Sequence, residues 1–493
     1  MIVALTAAIL TVLFIIVVLT LRQRSNYPPG PFPWPFIGNM IYFKKLSKKL
    51  GGQHFAFLEL SKQYNSDIIS LRLGAGDTIV VSDNKLIQEI LSKKEFDGRP
   101  WNEFIKLRNM GMKSGITMND GQDWKELRSW SVRALKNCGF AKREMMQLLL
   151  DELTLILDRL KDGGIQHIQT IIAPTVINVL WTLITGKRLS EDQRLQHFLD
   201  LMNRRSQIFD MSGGILSTFP WLRFLLPEKS GYRILVTLNN ELKSLLMETI
   251  NEHKQRYVKG KEEDFIDAFL QEMFTQKERG DKNSVFSDNN LIVTLIDLFI
   301  AGTRTTTATL EILFLQMANH QDVQRKLHEE IDVVIGPNRL PNLDDRVKMP
   351  FTEAVLMETQ RMWLVTPVIG PRRVLDDTTL GGYTIPKNVT VLMNIHHNNM
   401  SRELFPEPEQ FKPERHLNEN GTYRMDENVI LFGKGKRRCP GEALARSALF
   451  LLFVGVMQKY SLLPVPGEKS IKAEFTSGLI ISPKPYNMLI VPR

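Results

Sequence analysis

The chain has 493 residues and a mass of 56.7 kDa, and its 43% hydrophobic and 24% charged residues suit a chain that buries a substantial core. That balance excludes a mainly disordered or collagen-like protein, and two cysteines, Cys138 and Cys439, exclude a disulfide scaffold. The 63 basic against 54 acidic residues give a net charge of +9, which suits nucleic acid, an anionic membrane surface or an acidic protein without choosing among them.

Residues 1–21 carry no charged side chain, and their polar residues are Thr6, Thr11 and Thr20. As a helix this stretch is about 32 Å long, close to the roughly 30 Å of a bilayer core. Arg22 and Arg24 follow at once, so the sequence predicts a transmembrane signal anchor over 1–21 with the remainder of the chain cytosolic. Residues 22–36 read as a basic and proline-rich linker, because Pro28, Pro29, Pro31, Pro33 and Pro35 cannot continue a helix.

Residues 37–493 read as one mainly α domain with a small β lobe. Helical periodicity predicts helices at 54–64, 124–136, 144–160, 234–253, 289–319, 350–363 and 442–460. Short β-prone runs lie at 67–73, 78–82, 382–385 and 389–394. The charged stretches 259–264 and 276–287 read as surface loops.

The first chemical site is Phe432-Gly433-Lys434-Gly435-Lys436-Arg437-Arg438-Cys439-Pro440-Gly441. Cys439 ends a glycine- and lysine-rich loop just before a predicted helix, a position where helix N–H groups and cations favour thiolate. The glycines let the backbone approach something flat and bulky, and Arg437 is placed to pair with a carboxylate on it. Thiolate in this setting suits a haem iron that splits oxygen. Cys138 follows a helical run with no chemical partner near it in sequence and reads as inert.

This segment resembles the Phe-x-x-Gly-x-Arg-x-Cys-x-Gly haem loop of the cytochrome P450 family at every fixed position. Glu358-Thr359-Gln360-Arg361 resembles the family's Glu-x-x-Arg pair, whose residues share a helix face. With Arg415 of Pro413-Glu414-Arg415, the resemblance implies, Glu358 and Arg361 support the haem loop. Trp124-Lys125-Glu126-Leu127-Arg128 looks like the family's Trp-x-x-x-Arg helix, and Arg99 and Arg372 occupy positions similar to further propionate contacts. The resemblance therefore implies a cytochrome P450 fold of the microsomal animal type, with haem ligated by Cys439 and held by Arg99, Trp124, Arg128, Arg372 and Arg437.

Ala301-Gly302-Thr303-Arg304-Thr305-Thr306 resembles the family's small-Gly-x-acid-Thr-Thr segment, where the helix opens over the haem. Thr305 is expected to steer protons in catalysis, and Gly302 to leave room for oxygen and water. Arg304 replaces the usual acid and cannot relay protons as a carboxylate does. Water and Thr305 are then expected to supply protons, with an Arg304 hydrogen bond to a substrate carbonyl or ester as the sharper alternative.

The implied activity is insertion of one oxygen atom from O2 into a hydrophobic small molecule, by hydroxylation or epoxidation. Electrons come from NADPH through NADPH-cytochrome P450 reductase, steered by Lys125, Arg128, Arg133, Lys136, Lys434, Lys436 and Arg438. The implied location is the endoplasmic reticulum membrane, and no nucleic acid partner is expected. Substrate choice is expected in 100–117, 201–226, 291–305, 366–374 and 475–481, with Phe209, Phe219, Trp221, Phe224, Phe299 and Phe475 among the aromatics. Overall likeness suggests animal enzymes of hormone, lipid or foreign-compound metabolism, and an insect-type methyl farnesoate epoxidase in particular. The alternatives are a reductase-independent hydroperoxide isomerase of the same fold and a non-catalytic haem or sterol carrier.

Overall fold

Helix Asp288–Asn319 organises the body, and its sequence explains both its start and its place. The Ser287 side chain accepts the N–H of Asn290, and Asp288 faces the positive helix end. Beyond this cap the helix is apolar on nearly every face, as expected of a helix surrounded by protein. We refer to it as the core helix. The computed structural model describes residues 26–35, 37–74, 76–189, 193–208, 219–476 and 480–493, together with 11, 12, 14, 216 and 478.

Helices Arg143–Leu160, Gln169–Thr185 and Glu442–Lys459 share the large hydrophobic cluster with the core helix. The β lobe is a four-stranded sheet in the order β1 (Ile68–Leu73), β2 (Gly76–Val81), β7 (Thr390–Asn394), β4 (Val368–Arg373). Only the central β2–β7 pairing is parallel. A second sheet has the order β3 (Gly164–Gln166), β9 (Met488–Pro492), β8 (Tyr460–Leu463), and β5 (Thr378–Leu380) pairs with β6 (Tyr383–Ile385).

Every helix and strand read from periodicity is present, with ends shifted by three residues at most. Helices at Met40–Leu50, Asn84–Ser92, Gln169–Thr185, Gln193–Ile208 and Gln321–Val334 were not legible. Gln169–Thr185 is buried on almost all sides, so no apolar stripe marks it. The expected loops at 259–264 and 276–287 are present over 259–263 and 279–287 and are corrected at one end each. Asp264 is buried and caps helix Phe265–Glu278, which takes in the first residues of the second stretch.

The amino-terminal membrane helix is also corrected. Of residues 1–21, only Thr11, Val12 and Phe14 are among the described residues, and the expected span otherwise lies outside them. Among the described residues, the helix long and apolar enough to cross a membrane is instead Asp288–Asn319, 67% buried over its most apolar window. Its apolarity is that of a protein interior, interrupted by Asp297 and Arg304.

Gly455 lets two core helices meet closely. A Cβ there would lie 2.3 Å from Leu153 Cδ2 and 2.6 Å from its Cδ1. Gly455→Ala should therefore cost about 1–3 kcal/mol by overpacking, despite the better helix propensity of alanine. Thermal denaturation checks this: the same change in a Leu153→Ala background should become neutral or stabilising, and equal losses in both backgrounds would remove the contact as the cause.

Candidate active site

The loop carrying Cys439 is held by its own backbone before any side chain acts. Cys439 N–H donates to Phe432 O at 2.9 Å, and Arg438 N–H to Gly435 O at 3.1 Å. Gly435 has φ +70°, and a Cβ there would sit 2.4 Å from Leu91 O, so both conformation and space require glycine. Helix Glu442–Lys459 begins immediately after, with Gly441 as its first flanking residue. Cys439 is exposed, whereas Cys138 is half-buried.

The electrostatics at Cys439 differ from the sequence expectation. Although Cys439 is open on one side, desolvation by the protein atoms around the rest of it pushes its thiol up from its ordinary value, outweighing the Gly441 N–H, Arg128 and Arg438, which pull it down. The cations and helix start favour thiolate as expected, but they do not prevail alone. Metal coordination is the interaction that deprotonates a thiol outright.

Around Arg437 of this loop the fold gathers the other expected arginines from three distant segments. Arg437 donates from Nε and Nη2 to Asp97 O, at 3.0 and 2.7 Å, and its guanidinium carbon lies 3.4 Å from the Trp124 ring centroid. Arg99 Nη1 donates to Pro371 O at 2.5 Å, and Arg372 Nη1 to Asp97 Oδ1 at 3.2 Å. Arg128 donates to Arg438 O, directly before the cysteine. The indole N–H of Trp124 donates to Ile116 O at 3.0 Å, so this residue contributes a ring face under Arg437 while its N–H serves the local backbone.

These cations are short of countercharge. Burial, then the Arg437, Arg372 and Arg128 charges, lowers the basicity of Arg99, and Arg437 is brought down to about 9 mainly by burial and by Arg372. Arg99 Nε, Arg372 Nε and Arg437 Nη1 are buried without a hydrogen-bond partner. A planar ligand bearing carboxylates satisfies this donor set, and a thiol-bound iron satisfies Cys439. The residues thus fit haem.

Glu358 lies behind the loop and is fully buried. It accepts hydrogen bonds from Arg361 at 2.7 and 2.9 Å, Arg415 Nε at 2.9 Å, His416 Nε2 at 3.0 Å and Lys412 N–H at 3.0 Å. Arg361, equally buried, donates onward to Asn399 O and Pro408 O. The carboxylate thereby joins helix Pro350–Met362 to the segment 399–416. Burial alone would raise its pKa, but Arg361, His416 and the Lys412 N–H hold it at about 2.

On the core helix, Thr305 Oγ1 donates to Ala301 O at 2.8 Å, an interaction within its own helix. Gly302 is placed differently from the expectation of space for oxygen: a Cβ there would lie 2.7 Å from Leu180 Cδ2, so its lack of a side chain admits the neighbouring helix. Arg304 reaches across to Asn203 Oδ1 at 2.9 Å and Ser482 Oγ at 2.8 Å. Phe299 is not a pocket residue but core, stacked on Trp181 at 5.1 Å and edge-on to Phe198. Trp221 and Phe224 are exposed, and Phe209 lies outside the described residues.

Sequence reasoning missed the site's acids. Asp97 supports Arg372, and Asp120 accepts from Arg99 N–H, Lys113 and Arg373. Asp297, fully buried on the core helix, accepts the N–H groups of Ile116 and Thr117 at 2.9 and 2.8 Å and pairs with Arg108. No local pattern marks these contacts, although an aspartate in so apolar a helix was a signal.

Glu358→Gln should cost about 3–5 kcal/mol, because it leaves Arg361 buried beside a neutral amide. The carboxyl is more acidic folded than unfolded, so its stabilisation is complete above the unfolded value near 4.5 and is lost as pH falls toward about 2. Denaturant melts of wild type and variant across this range should show a shallower acid dependence in the variant, and parallel curves would contradict the assignment.

Comparison with known proteins gives independent results. Residues 28–490 match the family model described as Cytochrome P450. The chain is 38% identical over 483 residues to "Probable cytochrome P450 305a1" of Drosophila melanogaster, covering 96% of this chain and 95% of that one. It is 37% identical over 485 residues to "Farnesoate epoxidase" of Bombyx mori, covering 98% and 97%. It is 33% identical over 480 residues to "Cytochrome P450 2J2" of Homo sapiens, covering 96% and 92%. Membership implies a haem cofactor, a reductase partner and a hydrophobic substrate, and the chain belongs to the cytochrome P450 family of haem-dependent monooxygenases.

Proposed function

We propose that residues 37–493 form a catalytic domain that oxygenates an apolar small molecule, with Cys439 as the thiolate ligand of the haem. The supporting observation is the set of three buried guanidinium N–H groups without partners, on Arg99, Arg372 and Arg437, gathered with Arg128 around the cysteine loop. In this reading they hold the haem carboxylates, and Trp124 fixes Arg437 by its ring face. Bound haem activates dioxygen so that one oxygen atom enters the substrate and the other leaves as water, with two electrons and two protons consumed.

The electrons come from NADPH through its cytochrome P450 reductase. Lys125, Arg133, Lys136, Lys434, Lys436 and Arg438 are exposed, and Arg128 ties their two segments together, which supports one positive docking face. Exposed Phe32, Trp34, Ile41, Trp221, Phe224 and Leu225 support contact with a membrane surface, as on the endoplasmic reticulum. The name of the Bombyx mori relative supports farnesoate or its methyl ester as the specific substrate, oxidised by epoxidation.

Thr305 moves a proton at its Oγ1. Its hydrogen is given to Ala301 O, so the oxygen accepts from water, and rotation about χ1 then presents the hydroxyl to the pocket. Thr305→Ala should lower product formed per NADPH consumed by at least about tenfold and raise peroxide. That is less than the 10²–10⁴ of a full general acid, because water substitutes in part. Unchanged coupling would remove this role.

The decisive test is the spectrum of the purified, reduced protein under carbon monoxide. A red-shifted Soret band lost in Cys439→Ser is expected, and a histidine-type band in wild type would overturn thiolate ligation. Arg304 in place of an acid supports the hydroperoxide isomerase as second reading, against which Thr305 counts. Turnover of a hydroperoxide without NADPH, and none of farnesoate with it, would select that reading.

A further inference from the structure

Arg304 stands where three elements meet. It belongs to the core helix, its Nη1 donates to Asn203 of helix Gln193–Ile208, and its Nη2 to Ser482 of the carboxyl-terminal loop. That loop is itself fixed. Ile481 N–H donates to Val365 O at 2.8 Å, and Thr476 and Ser482 bond each other. Arg304 and Asn203 lie in two of the five segments that the sequence assigns to substrate choice, Ser482 directly follows a third, and Thr305 is the next residue along the helix.

The guanidinium is anchored there without being neutralised. Asn203 Oδ1 and Ser482 Oγ are neutral acceptors, and they use two of its five N–H groups. Among the described residues no carboxylate lies within ion-pair distance of Arg304. The acid coupled to it is Glu311, seven residues further along the same helix, which burial keeps largely protonated at neutral pH with a pKa near 8. A half-buried, preorganised cation with N–H groups to spare is a receptor for an anion, since its desolvation is already met and its geometry is set. One turn before it the helix offers the apolar Ile300 and Ala301, half-buried and exposed respectively.

We propose that Arg304 receives the carboxylate of an apolar acid substrate and so fixes which carbons of the chain reach the oxygenation site beside Thr305. This rests on the monooxygenase reading above and narrows it to acid over ester. A carboxylate takes the remaining N–H groups while Asn203 and Ser482 hold the fork in place. An ester offers only a neutral carbonyl, and a hydrocarbon offers nothing.

Equilibrium dialysis of the haem-loaded protein with farnesoic acid, methyl farnesoate and the hydrocarbon farnesene tests this without turnover. Wild type should bind the acid most tightly. Arg304→Gln should weaken the acid by about ten- to hundredfold, the worth of hydrogen bonds to charged groups, and leave farnesene within about twofold. Arg304→Lys should retain part of the acid preference. Asn203→Ala and Ser482→Ala, which keep the charge but loosen its hold, should weaken the acid less than Arg304→Gln does. Equal weakening of all three probes in Arg304→Gln would overturn the proposal in favour of a purely structural clasp. So would a wild-type preference for the ester, or acid binding that ignores residue 304. If Arg304→Gln fails to fold, the acid-to-farnesene affinity ratio in Arg304→Lys decides: a several-fold drop supports the receptor and an unchanged ratio overturns it. A missing thiolate-type carbon monoxide band defeats the monooxygenase reading while leaving the dialysis result to stand by itself.

Discussion

One buried carboxylate governs the proximal half of the molecule. Glu358 has lost its water, and the donors of Arg361, Arg415, His416 and Lys412 replace it. A buried ion pair of this kind is a poor source of net stability, because desolvation offsets the attraction. What it confers is position. Each partner must be in place for the others to be tolerated, so helix Pro350–Met362 and the segment 399–416 have one mutual arrangement. Met357, on the same helix, then packs with Phe405, Val429 and Leu431, directly ahead of the cysteine loop. The placement of Cys439 is thus inherited from a network that never touches it.

The opposite electrostatic condition holds on the ligand side. Arg99, Arg372 and Arg437 have partners for some N–H groups and none for others, and they repel one another. A protein keeps such a cluster only if something anionic completes it. Asp97 and Asp120 fix the direction of the cations without cancelling them, since their oxygens are shared with Lys113, Arg373 and Lys436. Satisfied acid behind the loop and unsatisfied base around it are complementary: the first sets geometry, and the second suits the anionic groups of the haem proposed above.

How much of this was legible in the residues follows from the range of each interaction. The cysteine loop was read from its own ten residues, whereas the Glu358–Arg361 pair, one helical turn apart, was read from resemblance, because spacing alone suggests an ordinary surface pair. The arginines at 99, 128 and 372 were read from resemblance, and the structure brings them together. Asp297, Asp97 and Asp120 act across long sequence separations and left no local trace. Helix Gln169–Thr185 escaped because a helix buried all round has no period to detect, and Asp264 because a charged stretch reads as surface until its cap is seen. Apolar length describes a core helix as well as a bilayer span: among the described residues the helix that meets that test is Asp288–Asn319, while the expected span over 1–21 lies almost wholly outside them. Gly302 was recognised as special, but for room toward the ligand, whereas its neighbour is Leu180.

The Asp297 contacts bear on how freely the segment 115–117 can move. Its carboxylate caps the N–H groups of Ile116 and Thr117 and faces Arg108, from a position with no access to solvent. Swinging the segment 115–117 outward would strip a buried carboxylate of two donors and leave Arg108 alone to hold it. At about 3–5 kcal/mol, that excursion is populated in about one molecule per hundred to one per several thousand. Opening along this segment is therefore rare at equilibrium, and exchange of small molecules with the interior is less costly through elements whose displacement exposes no buried ion.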